Sequence, residues 1–368
     1  MSFLETFAVL AVAVAACAPL GGCSDESPRA APTTAVGDGG AAGTAAGGAA
    51  DATAPQDADG ALVLYCGRSK PQVESVVEAF TAATGREVEV RYADTTELAS
   101  LLLDEGAASP CDVYWAQDAG ALGALSQAGR LAALPPGVLE LVPAQFASRR
   151  GDWVGVSGRV RVVAYSTERV RADELPASIL GFTDPRWKER IGWPPRNASF
   201  QAFVTALRQT AGDDAARAWL TGVQANAPRT YPKNSAALAA IAAGEIDVAF
   251  VNHYYLHQAR AERGPDLPVA NHHFPGADVG NLVNVAGAGV MASSQRPTGA
   301  RLLVEHLLAP ASQEHFARVT FEYPLRLGVA PPGDLPALDS VRAPDVDLNR
   351  LEDLVATVRL LRELRILQ

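Results

Sequence analysis

Apolar and polar residues alternate along this chain with two periods, and the elements follow from where the period changes. Residues 61–65, Ala-Leu-Val-Leu-Tyr, read as a buried strand closed by Cys66, Gly67 and Arg68. Ser69 is placed to cap the next helix, with Pro71 in its first turn. Val73, Val76, Val77 and Phe80 then fall on one helical face, and Gly85 stops the helix. Residues 87–92 form a second strand and 96–106 a second helix with Leu98, Leu101 and Leu102 inward. Residues 112–116 are a third strand, and Asp118 opens a helix running to Gly129. This β-α-β-α-β-α order predicts a parallel, right-handed sheet with helices on both faces.

Two extended stretches, 153–156 and 161–165, break the pattern and suit a crossing from one domain to another. A second α/β series begins with a strand at 190–193 and continues with helices at 199–210, 215–225 and 235–243. It culminates in Gly244-Glu-Ile-Asp-Val-Ala-Phe-Val-Asn-His-Tyr-Tyr255. The apolar run 246–251 predicts a strand in the middle of a parallel sheet, with Asn252, Tyr254 and Tyr255 at its carboxyl end, where open α/β sheets hold ligands. Residues 287–292 read as a strand returning to the first half; 301–308, 312–320 and 348–367 read as amphipathic helices. The predicted class is α/β, a two-lobed type II periplasmic-binding-protein fold with its ligand cleft between lobes. Lobe 1 covers 61–157 with about 287–335 returning to it, lobe 2 covers 158–286, and 336–368 pack on the body.

The amino terminus changes the cellular picture. Residues 7–20 are apolar but too short to span a bilayer, which suits a signal peptide. Leu20-Gly-Gly-Cys23 resembles a lipoprotein lipobox, so residues 1–23 are expected to be a signal with Cys23 as the lipidated residue; Cys17 is a second candidate. The leader carries Glu5 and no Lys or Arg before residue 7. Residues 24–60, rich in Ala, Gly, Thr, Asp and Pro, bury too little to offset ordering and predict a disordered tether reaching roughly 35 Å. A formal net charge of −10 without a basic run argues against nucleic acid as partner. Cys66 ends one strand and Cys111 begins another, so no disulfide or metal pattern is expected of them. Two α/β lobes behind an export signal describe an extracytoplasmic solute-binding protein that closes by a hinge.

Val63-Leu-Tyr-Cys-Gly-Arg-Ser69, Gln117-Asp-Ala-Gly120, Val154-Gly-Val-Ser-Gly-Arg-Val-Arg-Val162, Thr183-Asp-Pro-Arg-Trp-Lys188 and Asn252-His-Tyr-Tyr255 resemble the ferric-iron-binding proteins of bacterial ABC importers. The resemblance extends from about residue 61 to the carboxyl terminus. It implies Fe³⁺ as the transported ligand, held by Tyr254 and Tyr255 together with a synergistic anion such as carbonate or phosphate. Hard phenolate oxygens suit such an ion, and both tyrosines reach one metal only if the strand ends before them. Asn252 and Asn234 match anion-binding positions. The Asn197-Ala-Ser199 turn would add amides and a hydroxyl at a helix start, Arg68 resembles an arginine that contacts the anion, and Ser69 beside it is a further anion-binding candidate. The family's partners are a permease and its ATPase, with the binding protein a monomer that is not an enzyme.

Departures from the family pattern shape the expected site. A histidine or tyrosine is common in the first loop where this chain has Ser69 and Lys70; a third tyrosine matches Phe200; a glutamate ligand aligns with Gln117, next to Asp118. Two phenolates leave the octahedron to be completed by water, an anion or Asp118. A zinc site from His253, His257, His272 and His273 is a weaker reading, and no catalytic motif is visible. The alternatives are a solute-binding protein for a ferric chelate, oxyanion or polyamine, and, in another class, an enzyme or sensing module on two such lobes.

Overall fold

The computed structural model describes residues 57–368 except 332, 334, 352 and 368, and these form one compact unit. The signal, Cys17, Cys23 and nearly all of the tether lie outside the described residues. The described residues begin within the expected tether. Asp57 accepts hydrogen bonds from the amides of Thr298 and Gly299 and pairs with Arg86 at 2.9 Å.

In chain order the first half runs β1 (Leu62–Cys66), α1 (Lys70–Thr84), β2 (Val88–Tyr92), α2 (Thr95–Glu105), β3 (Val113–Ala116), α3 (Ala119–Gln127) and the short α4 (Pro136–Leu139). β1 pairs in parallel with both β2 and β3. α1 buries Val73, Val76, Val77 and Phe80, and Gly85 ends it with φ 69°, a backbone setting that favours glycine. Cys66 and Cys111 are separate buried thiols.

The central element is β4 (Val154–Ser166), a single 13-residue strand where two separate stretches were expected. Its continuity comes from pairing along its whole length. Residues 154–160 pair with β9 (Val283–Val290), and 161–166 pair with β7 (Val248–Asn252) and β8 (Val269–His272). A side chain at Gly155 would meet Phe146 O at 2.7 Å and Leu325 Cδ1 at 2.8 Å, so only glycine lets these segments pack on the strand. The other elements of the second half are β5 (Ile191–Trp193), α5 (Ala198–Ala211), α6 (Asp213–Ala225), β6 (Arg229–Thr230), α7 (Asn234–Ala242) and α8 (Tyr254–Arg263). After β9 come α9 (Pro297–Leu307), α10 (Pro310–His315), a π-helical turn at Phe316–Thr320, β10 (Tyr323–Pro324) and α11 (Leu354–Glu363). The sheet order is β2-β1-β3-β9-β4-β7-β5-β6, with β8 and β10 also on β4.

β7 corrects the all-parallel expectation: it runs parallel to β5 but antiparallel to β4. Burial is still complete on both faces, which is why the strand reads as a continuous apolar run. Under the second half sits an aromatic cluster, with Phe200 against Trp193 at 5.7 Å and Trp219 against Phe203 at 5.3 Å. β4 and β9 carry the chain between the two halves, and α3 and α5 begin where those strands cross over.

Candidate functional site

β7 ends at Asn252, His253 turns the chain, and Tyr254 and Tyr255 occupy the first turn of α8. A helix turn places consecutive side chains about 100° apart rather than on opposite faces. The phenol rings therefore lie side by side, with centroids 4.3 Å apart and planes inclined by 33°. Tyr254 is buried, and burial followed by the neighbouring Tyr255 oxygen raises its pKa far above the ordinary phenol value; the charge of Arg159 opposes this. Free of any ligand, the Tyr254 phenol is protonated at every physiological pH.

His253 sets this turn. Its Nδ1 accepts from Val160 N at 3.1 Å and its Nε2 donates to Phe321 O at 2.8 Å. Burial lowers its pKa to about 3, so the ring is neutral. With both nitrogens occupied it offers no lone pair to a metal, which removes His253 from the zinc reading. Among the described residues no group of three His, Cys, Asp or Glu side chains is arranged to hold a metal.

Five polar side chains meet at the starts of α5 and α7. Asn197 Oδ1 accepts from Ser199 N at 3.0 Å, from Ser199 Oγ at 2.6 Å and from Asn234 Nδ2 at 3.2 Å. Asn234 Nδ2 also reaches Ser199 Oγ at 3.1 Å. From β4, Arg161 Nη1 donates to Ser199 Oγ at 3.2 Å and to Asn252 Oδ1 at 3.3 Å, while Nη2 donates to Phe250 O at 2.6 Å. The helix-start amides expected to face a ligand are used within the turn: Ser199 N on Asn197 Oδ1 and Phe200 N on Asn197 O. Those two amides are thus committed, and the side chains of Arg161, Ser199, Asn234 and Asn252 converge beside them.

Arg161 and its neighbour Arg159 were not singled out from the sequence. Both are buried, and among the described residues neither forms an ion pair. Arg159 Nη2 donates to Gln117 O. Burial lowers the Arg161 pKa to about 9, with Tyr255 and Tyr254 opposing the fall. Its guanidinium also sits over Phe200 at 5.7 Å and Phe203 at 5.6 Å, which explains a phenylalanine at position 200. The available signal was an Arg-x-Arg pair inside an otherwise apolar strand, since a buried cation without a carboxylate is costly unless something else answers it.

A cavity of about 70 Å³ lies at this junction, walled by Gln117, Asp118, Arg159, Arg161, Ser199 and Asn252, with Leu351 and Leu354 closing it. Asp118 caps α3 by accepting from Ala121 N at 3.2 Å. Ser69 is exposed at the start of α1 with no side-chain capping bond. Arg68 is also elsewhere. Its guanidinium closes on Glu322 with bonds of 3.0 and 3.1 Å, joined by Ser157, and both side chains are buried. An internal carboxylate holds it, so the anion expected beside Arg68 is replaced by Glu322.

Paired strands crossing between two α/β halves, with a polar cavity at the crossing, are the architecture of a solute-binding protein. The model of the bacterial extracellular solute-binding protein family matches residues 109–353, and the chain belongs to that family. It is 34% identical over 322 residues to the major ferric iron-binding protein of Neisseria meningitidis serogroup B, covering 86% of this chain and 96% of that one. Among solved structures it is similar to iron-bound HitA from Pseudomonas aeruginosa, with a TM-score of 0.76 and 33% identity over 82% of this chain and 98% of that one. It is also similar to Trichodesmium IdiA (FutA) in complex with iron and citrate, with a TM-score of 0.73 and 26% identity over 83% and 99%.

Proposed function

We propose that this protein is an extracytoplasmic Fe³⁺-binding protein that captures iron with a small anion between its two lobes and hands it to an ABC permease. The observation that carries the reading is the pair of adjacent, nearly stacked phenols at the start of α8, within electrostatic reach of Arg159 and Arg161. The donor set fits the cargo: phenolate oxygens are hard donors, and a trivalent ion at bonding distance displaces protons that burial otherwise retains. Charge then calls for an anion. Fe³⁺ with two phenolates carries +1, and two buried guanidiniums stand beside it. A carbonate or phosphate on Arg161, Ser199 and Asn252 answers that charge, with Asn234 and Asn197 orienting the serine. Gln117 and Asp118 face the same cavity, and Asp118 or water completes the coordination. Arg68 stays with Glu322 and Ser69 stays in solvent.

The lobes of this reading are the β1–β3 half with β9, and the β5–β8 half, hinged on β4 and β9. The apolar leader and Cys23 would place the protein on a membrane by a lipid anchor; among the described residues no helix is long and apolar enough to cross one. The test is visible absorption during titration with ferric citrate in bicarbonate buffer. Phenolate-to-iron charge transfer gives a broad visible band, and the Tyr254→Phe, Tyr255→Phe double variant lacks it. A protein that stays colourless and gains no thermal stability from iron refutes the reading, because a ligand that binds only the native state must raise its stability.

A further inference from the structure

The carboxyl-terminal segment crosses the molecule from one half to the other, and its course was not implied by a helix packed on the body. Upstream, Asn281 Nδ2 donates to Arg342 O at 3.1 Å, and Asp347 reaches Arg149 at 3.4 Å. Leu351 then seats on α3. A Cβ at Gly120 would lie 3.1 Å from Leu351 O, so the close approach depends on that glycine. Beyond it the segment is fastened to α5. Gln209 Nε2 donates to Arg350 O at 2.6 Å, Thr205 and Thr357 share a buried hydroxyl hydrogen bond of 2.7 Å, and Arg208 Nη1 reaches Thr357 Oγ1 at 3.0 Å. Between these anchors Leu351, buried, and Leu354, half-buried, become, with Leu282, Ala198 and Ala202, the apolar wall of the cavity whose polar wall holds Arg159, Arg161, Ser199 and Asn252.

From this we infer that Leu351 and Leu354 set the size of the anion that accompanies iron, admitting a carbonate- or phosphate-sized oxyanion and excluding polycarboxylate chelators. The inference rests on the iron reading above. The space is about 70 Å³, against roughly 300–1,000 Å³ for sites that hold organic ligands and about 30 Å³ per liquid water. It accommodates a few heavy atoms. A citrate has thirteen, and it enters only where the leucine wall is removed or displaced. The polar fastenings to α5 and the Gly120 seat hold that wall in place, so discrimination comes from a built obstacle rather than from weaker attraction. The guanidiniums alone would favour the more highly charged citrate.

The experiment loads the full-length protein with iron from ferric citrate in bicarbonate buffer, using labelled citrate, and counts citrate per iron after gel filtration. The wild type is expected to be coloured and to keep almost no citrate. Leu351→Ala/Leu354→Ala is expected to keep close to one citrate per iron, at least roughly tenfold more. Leu354→Ala alone, at a half-buried position that folding tolerates, is expected to fall between them. A coloured wild type that keeps citrate one-to-one overturns the inference, as do coloured variants that exclude citrate as the wild type does. A wild type that remains colourless with every iron source overturns the iron reading itself and this inference with it.

Discussion

Arg161→Met separates a binding role for this arginine from a purely structural one, because only a binding role changes the affinity for iron. Moving the guanidinium into its buried position lowers its pKa from the usual 12.5 to about 9, and that fall corresponds to roughly 5 kcal/mol of unfavourable burial. Methionine carries none of this cost and fills a similar slot. The substitution loses three hydrogen bonds from a charged donor, to Ser199, Asn252 and Phe250, worth about 1.5–3 kcal/mol each. It also loses the contacts over Phe200 and Phe203, about 1 kcal/mol each. The losses exceed the gain. The iron-free variant should therefore lose a few kcal/mol of stability, comparable to the about 3–5 kcal/mol of a broken buried ion pair, so stability alone does not separate the roles and iron affinity does.

Iron affinity should fall as well. Without the guanidinium the anion loses a charge-assisted hydrogen bond worth about 1.5–3 kcal/mol, so iron binding in bicarbonate should weaken roughly 10- to 100-fold. The assay is calorimetric or chemical unfolding of the iron-free protein, paired with competitive titration against a chelator monitored in the charge-transfer band. A variant that loses several kcal/mol of stability while binding iron at wild-type strength refutes the reasoning and makes Arg161 a structural residue.

Glu322→Gln should leave Arg68 charged and unpaired in a site where both side chains are buried; a loss of about 3–5 kcal/mol in chemical unfolding is expected, and a change under 1 kcal/mol would contradict it. Acid should weaken the fold through His273, whose pKa is pushed down to about 4 by burial first and then by His272 and His257. The unfolded chain takes up that proton near pH 6.5 and the folded one only near 4, so stability falls as pH drops between them, by up to about 2 kcal/mol at pH 5. His273→Gln should reduce that dependence by about that amount, with the remainder coming from His253, His272 and His306, whose pKa values burial also lowers; an unchanged slope would assign the effect elsewhere.

The elements were legible because each has a local cause. Gly85 ends α1 in the left-handed region, Asp118 and Asn197 accept from amides two or three residues on, and β7 is apolar throughout because both its faces are covered. The phenol pair was legible for the same reason: the strand run stops at Asn252, and the tyrosines follow immediately. What escaped depends on partners remote in sequence. Nothing near Arg68 announces Glu322, 254 residues away, and its carboxylate alone turns an anion contact into an internal ion pair. Arg159 and Arg161 look like the polar edge of a strand until β4 is seen to be continuous, paired along its length and buried almost end to end. Once it is, two cations that form no ion pair among the described residues stand in the middle of the molecule, with Asp118 facing the same cavity, and the proposed anion answers their burial. The carboxyl-terminal segment follows the same logic. Its leucine spacing reads as ordinary core packing, and only the placement of α3 and α5 on either side of the cavity makes Leu351 and Leu354 part of its lining. Local pattern thus locates the proposed metal donors, while long-range topology determines what surrounds them.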